Sequence, residues 1–126
     1  MNPRILIVDD DFAILDSVSL MLKIHGYDVH TVFEADQVLQ ALINYKPALL
    51  LMDVSLAGAD GRELCAQIRS STAVQDTVVI LFSANPDYRT SVSSCGADDF
   101  LAKPFKKTEL LNAIQKNLAL NSGMRA

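Results

Sequence analysis

Four short runs of consecutive apolar residues limit what this chain can fold into. They are Ile5–Val8, Ala48–Met52, Val78–Phe82 and, more weakly, Phe100–Ala102. A strand that is apolar at every position is covered on both faces, as in a parallel sheet with helices on each side. Val29, Thr31 and Phe33 alternate with other residues and mark a fifth strand nearer an edge. Helical spacing fills the gaps between runs. Leu15, Val18, Met21, Leu22 and Ile24 mark a helix from Phe12 to His25, capped by Asp11 and ended by Gly26. Val38, Leu39, Leu42 and Ile43 mark a second helix, stopped near Lys46-Pro47. Leu64, Cys65 and Ile68 mark a third after Gly61, and Leu110, Leu111, Ile114 and Leu118 a long last one after Pro104. Strands alternating with helices across short loops read as (βα)5. The expected fold is α/β: a doubly wound, five-stranded parallel sheet, flavodoxin-like in strand order, with helices on both faces.

The 126 residues suit one domain. We assign 1–120 to it and 121–126, with its Asn-Ser-Gly, to a tail or the start of a linker. The net charge of −4 and pI near 4.9 argue against a nucleic-acid footprint. No apolar run approaches the ~18 residues of a membrane span. The start, Met-Asn-Pro-Arg, lacks the layout of a signal peptide. Two cysteines could form one bridge at most, which is not a secreted disulfide scaffold. These features point to a cytoplasmic setting.

The chemistry gathers at the strand ends. Asp9, Asp10 and Asp11 follow the first run, Asp53 the third strand, Ser83 the fourth and Lys103 the fifth. In a parallel sheet all these ends open on one edge, where such folds bind ligands. Alone, Asp-Asp-Asp ahead of a helix is an N-cap, Asp53 a turn residue and Lys103 a solvated lysine. Four strand ends supplying carboxylates, a hydroxyl and an ammonium to one rim are harder to assign to turns. Clustered carboxylates repel unless a cation joins them. Lys103 is one such cation. Mg²⁺ is another, because it favours carboxylates, waters and phosphate oxygens. No His/Cys cluster exists, so zinc is not expected. A carboxylate there can attack phosphorus and form an aspartyl phosphate, with Lys103 and the metal neutralising the phosphoryl oxygens.

These residues carry a resemblance. Ile-Leu-Ile-Val-Asp-Asp-Asp (5–11), Leu-Leu-Leu-Met-Asp-Val (49–54), Asp60-Gly61, Phe-Ser-Ala (82–84) and Gly-Ala-Asp-Asp-Phe-Leu-Ala-Lys-Pro-Phe (96–105) resemble response-regulator receiver domains of two-component systems, like the chemotaxis regulators. The similarity runs from Ile5 to about Leu118 and fills all the family's pocket positions. It implies that Asp53 is the phosphoacceptor. It also implies that Asp10 ligates Mg²⁺ together with Asp53 and the Ser55 backbone carbonyl, with Asp9 in the first or second layer of ligands. Ser83 is then the switch hydroxyl, Lys103 the phosphoryl contact and Phe100 the aromatic switch. The implied donor is a histidine kinase or a phosphotransfer protein carrying phosphohistidine, and the implied Lys103-Pro104 bond is cis. Such a domain is a signalling switch that phosphorylates and dephosphorylates itself, and not an enzyme acting on other substrates.

Two rivals make different demands. A Mg²⁺-dependent phosphohydrolase with an aspartyl nucleophile wants a second acid two residues on, where Ser55 stands. A flavodoxin-type FMN carrier wants a hydroxyl- and glycine-rich first loop, where three aspartates would repel the phosphate. The chain also departs from the family. Leu56-Ala57-Gly58 stands where Met-Pro-Gly is common, so one fixed φ is lost and a more mobile loop is expected. From Ser83 to Gly96 the numbering advances 13 positions, about two fewer than the resemblance implies. Thr90, Ser91, Ser93 and Ser94 are poor helix formers, and Tyr88 and Val92 are the only obvious apolar anchors. The fourth helix should therefore be short or irregular. Its signalling face is either rebuilt or simply trimmed. His25 and His30 lack metal-ligand spacing and read as structural, as do Cys65 and Cys95. Lys106 and Lys107 start the last helix against its dipole.

Overall fold

A computed structural model describes residues 2–124, with side chains through 120. Each apolar run becomes a strand; the first three lie inside the sheet and Phe100–Ala102 lies at its edge. We label the strands β1 (Arg4–Val8), β2 (Asp28–Val32), β3 (Leu49–Asp53), β4 (Val78–Ser83) and β5 (Asp99–Ala102). They form one five-stranded parallel sheet in the order β2-β1-β3-β4-β5. Successive side chains alternate between two cores, as the pleat requires. Leu6, Val8, Leu50, Met52, Val79 and Leu81 point to one core, and Ile5, Ile7, Leu49, Leu51, Ile80 and Phe82 to the other. This explains why the runs are unbroken: every residue of β3 and β4 is buried on one face or the other. Burying each such Leu or Ile stabilises the fold by roughly 1.5–3 kcal/mol.

The helices are α1 (Phe12–Ile24), α2 (Val38–Tyr45), α3 (Gly61–Ser70), α4 (Arg89–Val92) and α5 (Lys107–Met124). Residues from α1 and α5 fill one core; residues from α2 and α3, with Val92, fill the other. Asp11 caps α1 as expected, accepting from the N–H groups of Ala13 (2.9 Å) and Ile14 (3.4 Å). Leu15, Val18 and Leu22 are buried, but Ile24 is 72% exposed and falls outside the expected stripe. Ile43 of α2 is likewise on the surface. The expected phase of β2 also needs correction. Val32 is its buried residue, Thr31 is exposed, and Phe33 lies beyond the strand, its ring 5.1 Å from that of Phe12. An edge strand covered unevenly obeys its local neighbours more than strict alternation.

Helix α5 starts at Lys107, and the Glu109 side chain reaches back to accept from the Lys106 N–H (2.9 Å), in the manner of a capping box. An acid in the first turn thus offsets the two lysines. The helix runs on to Met124, past Leu118 and into the proposed tail; residues 125 and 126 of that tail lie outside the described residues. The fourth helix is short and irregular as expected. Its single turn, Arg89–Val92, lies between two 3₁₀ turns, Pro86–Tyr88 and Ser93–Cys95. Val92 is buried and Tyr88 half-buried against the core. Gly96 ends the segment at φ +94°, with Arg69 packed where a Cβ would point.

The histidines and cysteines are structural in their contacts. His25 caps the end of α1, and His30 lies against the Tyr45 ring at 5.3 Å. Cys65 is buried in the core, and Cys95 packs against that core with its thiol donating to the Val92 carbonyl (3.0 Å). Burial, and then the neighbouring Cys95, pushes the Cys65 thiol up to about 12. It is therefore inert at neutral pH.

Candidate functional site

Parallel strands deliver their C-terminal residues to one edge. Register places Val8 beside Met52, Asp53 beside Phe82 and Ser83 beside Ala102. The next residues along, Asp9 and Lys103, therefore flank Asp53. Asp9 is fully buried and Asp53 nearly so, at 7% exposed, while Asp10 is exposed. The Lys103 ammonium joins the two buried carboxylates, at 2.8 Å from Asp53 Oδ2 and 3.0 Å from Asp9 Oδ2. It also lies 4.6 Å from the centroid of the Phe82 ring. The other oxygens are held by backbone. Asp9 Oδ1 accepts from the Asp11 N–H (2.9 Å) and Asp53 Oδ1 from the Ser55 N–H (3.0 Å). The Lys103 N–H donates to the Ser83 carbonyl (2.8 Å), and the Lys103-Pro104 bond is cis. Buried Ser83 accepts on Oγ from the Asn85 N–H (3.0 Å). Phe100 is buried on β5, and the Arg89 guanidinium carbon lies 5.0 Å from its ring centroid.

The charges do not balance. One ammonium serves two buried carboxylates, with a third beside them. Burial pushes the Asp9 carboxyl above its usual range despite the Asp11 N–H and Lys103. Burial would also lower the Lys103 ammonium, but its hydrogen bonds to Asp53 and Asp9 outweigh that and hold it high. Carboxylate oxygens of Asp9, Asp10 and Asp53 all lie within 4.8 Å of one another. All three residues offer hard oxygen donors, which suits Mg²⁺ and not a thiolate- or imidazole-seeking metal.

The sign of the Asp9 shift makes a prediction for the metal-free protein. Its folded value is raised, so the neutral form is the one the fold favours. The group's contribution to stability is present below its unfolded value and is lost as pH rises through the folded value. At neutral pH the ionised side chain is therefore a cost. Asp9→Asn should raise the metal-free thermal midpoint by about 2–4 °C at pH 7 and shrink the further rise produced by Mg²⁺. Calorimetry with and without the ion checks this; a lower metal-free midpoint for the variant would contradict it.

The family model described as the response regulator receiver domain matches residues 5–115. The chain belongs to the response regulator receiver family. This receiver domain is 31% identical over 121 residues to the DNA-binding response regulator MtrA of Mycolicibacterium paratuberculosis, covering 96% of this chain and 53% of that protein. It thus spans about half the length of the curated relatives it matches. A solved receiver-domain protein of Methanospirillum hungatei, described as CheY-like, superposes with a TM-score of 0.89 at 30% identity, over 98% of this chain and 99% of that one. The receiver domain of a Pseudomonas aeruginosa sensor histidine kinase superposes with a TM-score of 0.85 at 28% identity, over 94% and 99%. That structure holds a magnesium ion coordinated in its active site cleft. Receiver domains of response regulators serve two-component signalling, and this one is a signalling switch by family. Among the described residues no helix is long and apolar enough to cross a membrane.

The receiver fold gathers Asp9, Asp10, Asp53 and Lys103 as the sequence suggested. Ser83 lies at the same sheet edge, beside Ala102 in register, with Lys103 bonded to its carbonyl. Ser55 heads the loop that carries Leu56-Ala57-Gly58, and it pairs antiparallel with Asp60. Asn85, which the sequence places beside the pocket, reaches it through its N–H on Ser83 Oγ. Sequence reading missed the Phe82 ring beside Lys103, although Phe82 directly precedes Ser83 in the chain.

Proposed function

We propose that Asp53 accepts a phosphoryl group from a phosphohistidine donor, a histidine kinase or a phosphotransfer protein, and that loading switches partner binding. The observation that carries this is Asp53 at the end of the central buried strand, 2.8 Å from Lys103 and within an all-oxygen acidic cluster. In the step itself an Asp53 oxygen forms a bond to phosphorus as the donor's bond to phosphorus breaks. Asp10, Asp53 and the Ser55 carbonyl would hold Mg²⁺, with Asp9 beside them. When bound, the ion neutralises charge that builds on the phosphoryl oxygens. Lys103 exchanges carboxylate contacts for phosphoryl oxygens. Ser83 releases the Asn85 N–H and donates its hydroxyl to the phosphoryl group, and Phe100 follows as the aromatic switch. Water later attacks the acyl phosphate, so the domain resets itself.

Residues 1–120 act as this unit in the cytoplasm, and 121–126 serve as tail or linker. The acidic balance, −4 overall, supports leaving DNA contact of the MtrA kind to segments outside this domain. The test is direct. Incubation with a small acyl phosphate and Mg²⁺ should add one phosphoryl mass to the intact protein, and a chelator should prevent it. An unchanged mass under both conditions overturns the proposal.

A further inference from the structure

The loop after Asp53 is connected to the irregular α4 segment by one side chain. Ser55 and Leu56 pair with Asp60 and Ala59, so Asp60 sits at the foot of the loop that begins on the Asp53 carboxylate. Asp60 then grips the Arg62 guanidinium with both oxygens, Nε to Oδ1 at 3.0 Å and Nη2 to Oδ2 at 2.6 Å. It also caps α3 through the Arg62 N–H at 2.8 Å. The remaining guanidinium nitrogen, Nη1, donates to Ser91 Oγ at 3.1 Å, and that hydroxyl donates on to the Tyr88 carbonyl at 3.0 Å. The same guanidinium lies 4.4 Å from the Tyr88 ring centroid. The fork is thus planar-locked at one end and stacked at the other, a geometry lysine cannot reproduce. The side-chain hydrogen bonds from Arg62 hold the Asp60 carboxyl below its usual range, consistent with an ion pair that persists although each partner is about 30% exposed. The other anchors within residues 88–91 are half-buried Tyr88 and Arg89, whose guanidinium carbon lies 5.0 Å from the Phe100 ring centroid.

We infer that Arg62 is a positioning residue that ties the Tyr88–Val92 turn to the Ser55–Asp60 loop, so that an ion bound at the carboxylate cluster is felt in that turn. This second link runs beside the loop and is separate from the one through Ser83 and Phe100. Its ion-dependent half rests on the Mg²⁺ reading given above; its tethering half does not. A claim of coupling between two sites needs a coupling measurement and not mere adjacency.

Two amide measurements supply it. In metal-free protein, Arg62→Met should speed hydrogen exchange of residues 86–95 about tenfold while α1 keeps its protection, the size expected for losing a hydrogen bond and a cation–π contact. In a Mg²⁺ titration, wild-type amides of residues 88–92 should shift with the same midpoint as those of 53–60. In R62M the 53–60 response should persist and the 88–92 response should collapse. The pair Tyr88→Leu with Ser91→Ala leaves the Asp60–Arg62 grip intact and should lose the same response, so a general loosening by R62M cannot produce the result. Unchanged exchange and an undiminished 88–92 response in these variants overturn the inference. So does a wild-type protein in which 53–60 respond and 88–92 do not. Silence at 53–60 in wild type counts against the metal reading instead, and the tether is then decided by the metal-free exchange alone.

Discussion

Asp53→Ala is expected to abolish phosphoryl incorporation. With a small acyl phosphate and Mg²⁺, intact-protein mass spectrometry should show one added phosphoryl group on wild type and none on the variant. The reason is placement. Asp53 ends the central strand, keeps one oxygen on the Lys103 ammonium at 2.8 Å and is slightly open to solvent. Asp9 is fully buried, with one oxygen on the Asp11 N–H and the other on Lys103. Asp10 is exposed, away from the low-dielectric surroundings that strengthen charge stabilisation. A full adduct on D53A would move the nucleophile to one of those two neighbours. Circular dichroism of the variant should stay that of the folded protein, because the strand loses only its last side chain.

Gly61→Ala should be the most damaging conservative change in the chain. A Cβ on Gly61 would collide with the Asp53 carbonyl oxygen and lie 3.0 Å from Val54 Cα. Both are backbone, so neither can swing aside. The Gly61 N–H also donates to the Val54 carbonyl at 2.7 Å, which fixes the approach. The expected cost is about 2–3 kcal/mol, or a fall in thermal midpoint of roughly 8 °C or more. Phosphoryl loading should fall as well, since the displaced atoms belong to the phosphoacceptor's own peptide. Gly58→Ala is the control. Its φ of +72° strains a side chain, but nothing lies within 4 Å of the new Cβ. It should cost about 1 kcal/mol and leave loading near normal. Equal midpoints for G61A and wild type would show that the α3 start can shift away from β3.

The receiver fold was legible because its evidence is local and repeated. Unbroken runs at Ile5–Val8, Ala48–Met52 and Val78–Phe82 suit strands buried on both faces, and they became β1, β3 and β4. Most of the site followed from chain order, since a parallel sheet sends every strand's last residue to one edge. Asp9, Asp53, Ser83 and Lys103 were found by counting to those ends. The short fourth helix was also legible, from four Ser/Thr residues in five positions and a missing stretch.

What the sequence could not decide depends on contacts between distant elements. The phase of β2 was set by which neighbours cover an edge strand, so Val32 and not Thr31 turned inward. Ile24 and Ile43 keep the helical spacing of their helices, yet the sheet reaches neither. Cys65 and Cys95 are thirty positions apart in the chain and become neighbours only when α3 meets the turn before Gly96. Arg62 and Ser91 are 29 positions apart, and their contact exists only because α3 and α4 share one face of the sheet. Period and strand order are written along the chain, where each residue reports on its own surroundings. Pairings across the fold depend on how whole elements pack, and no single residue carries that information.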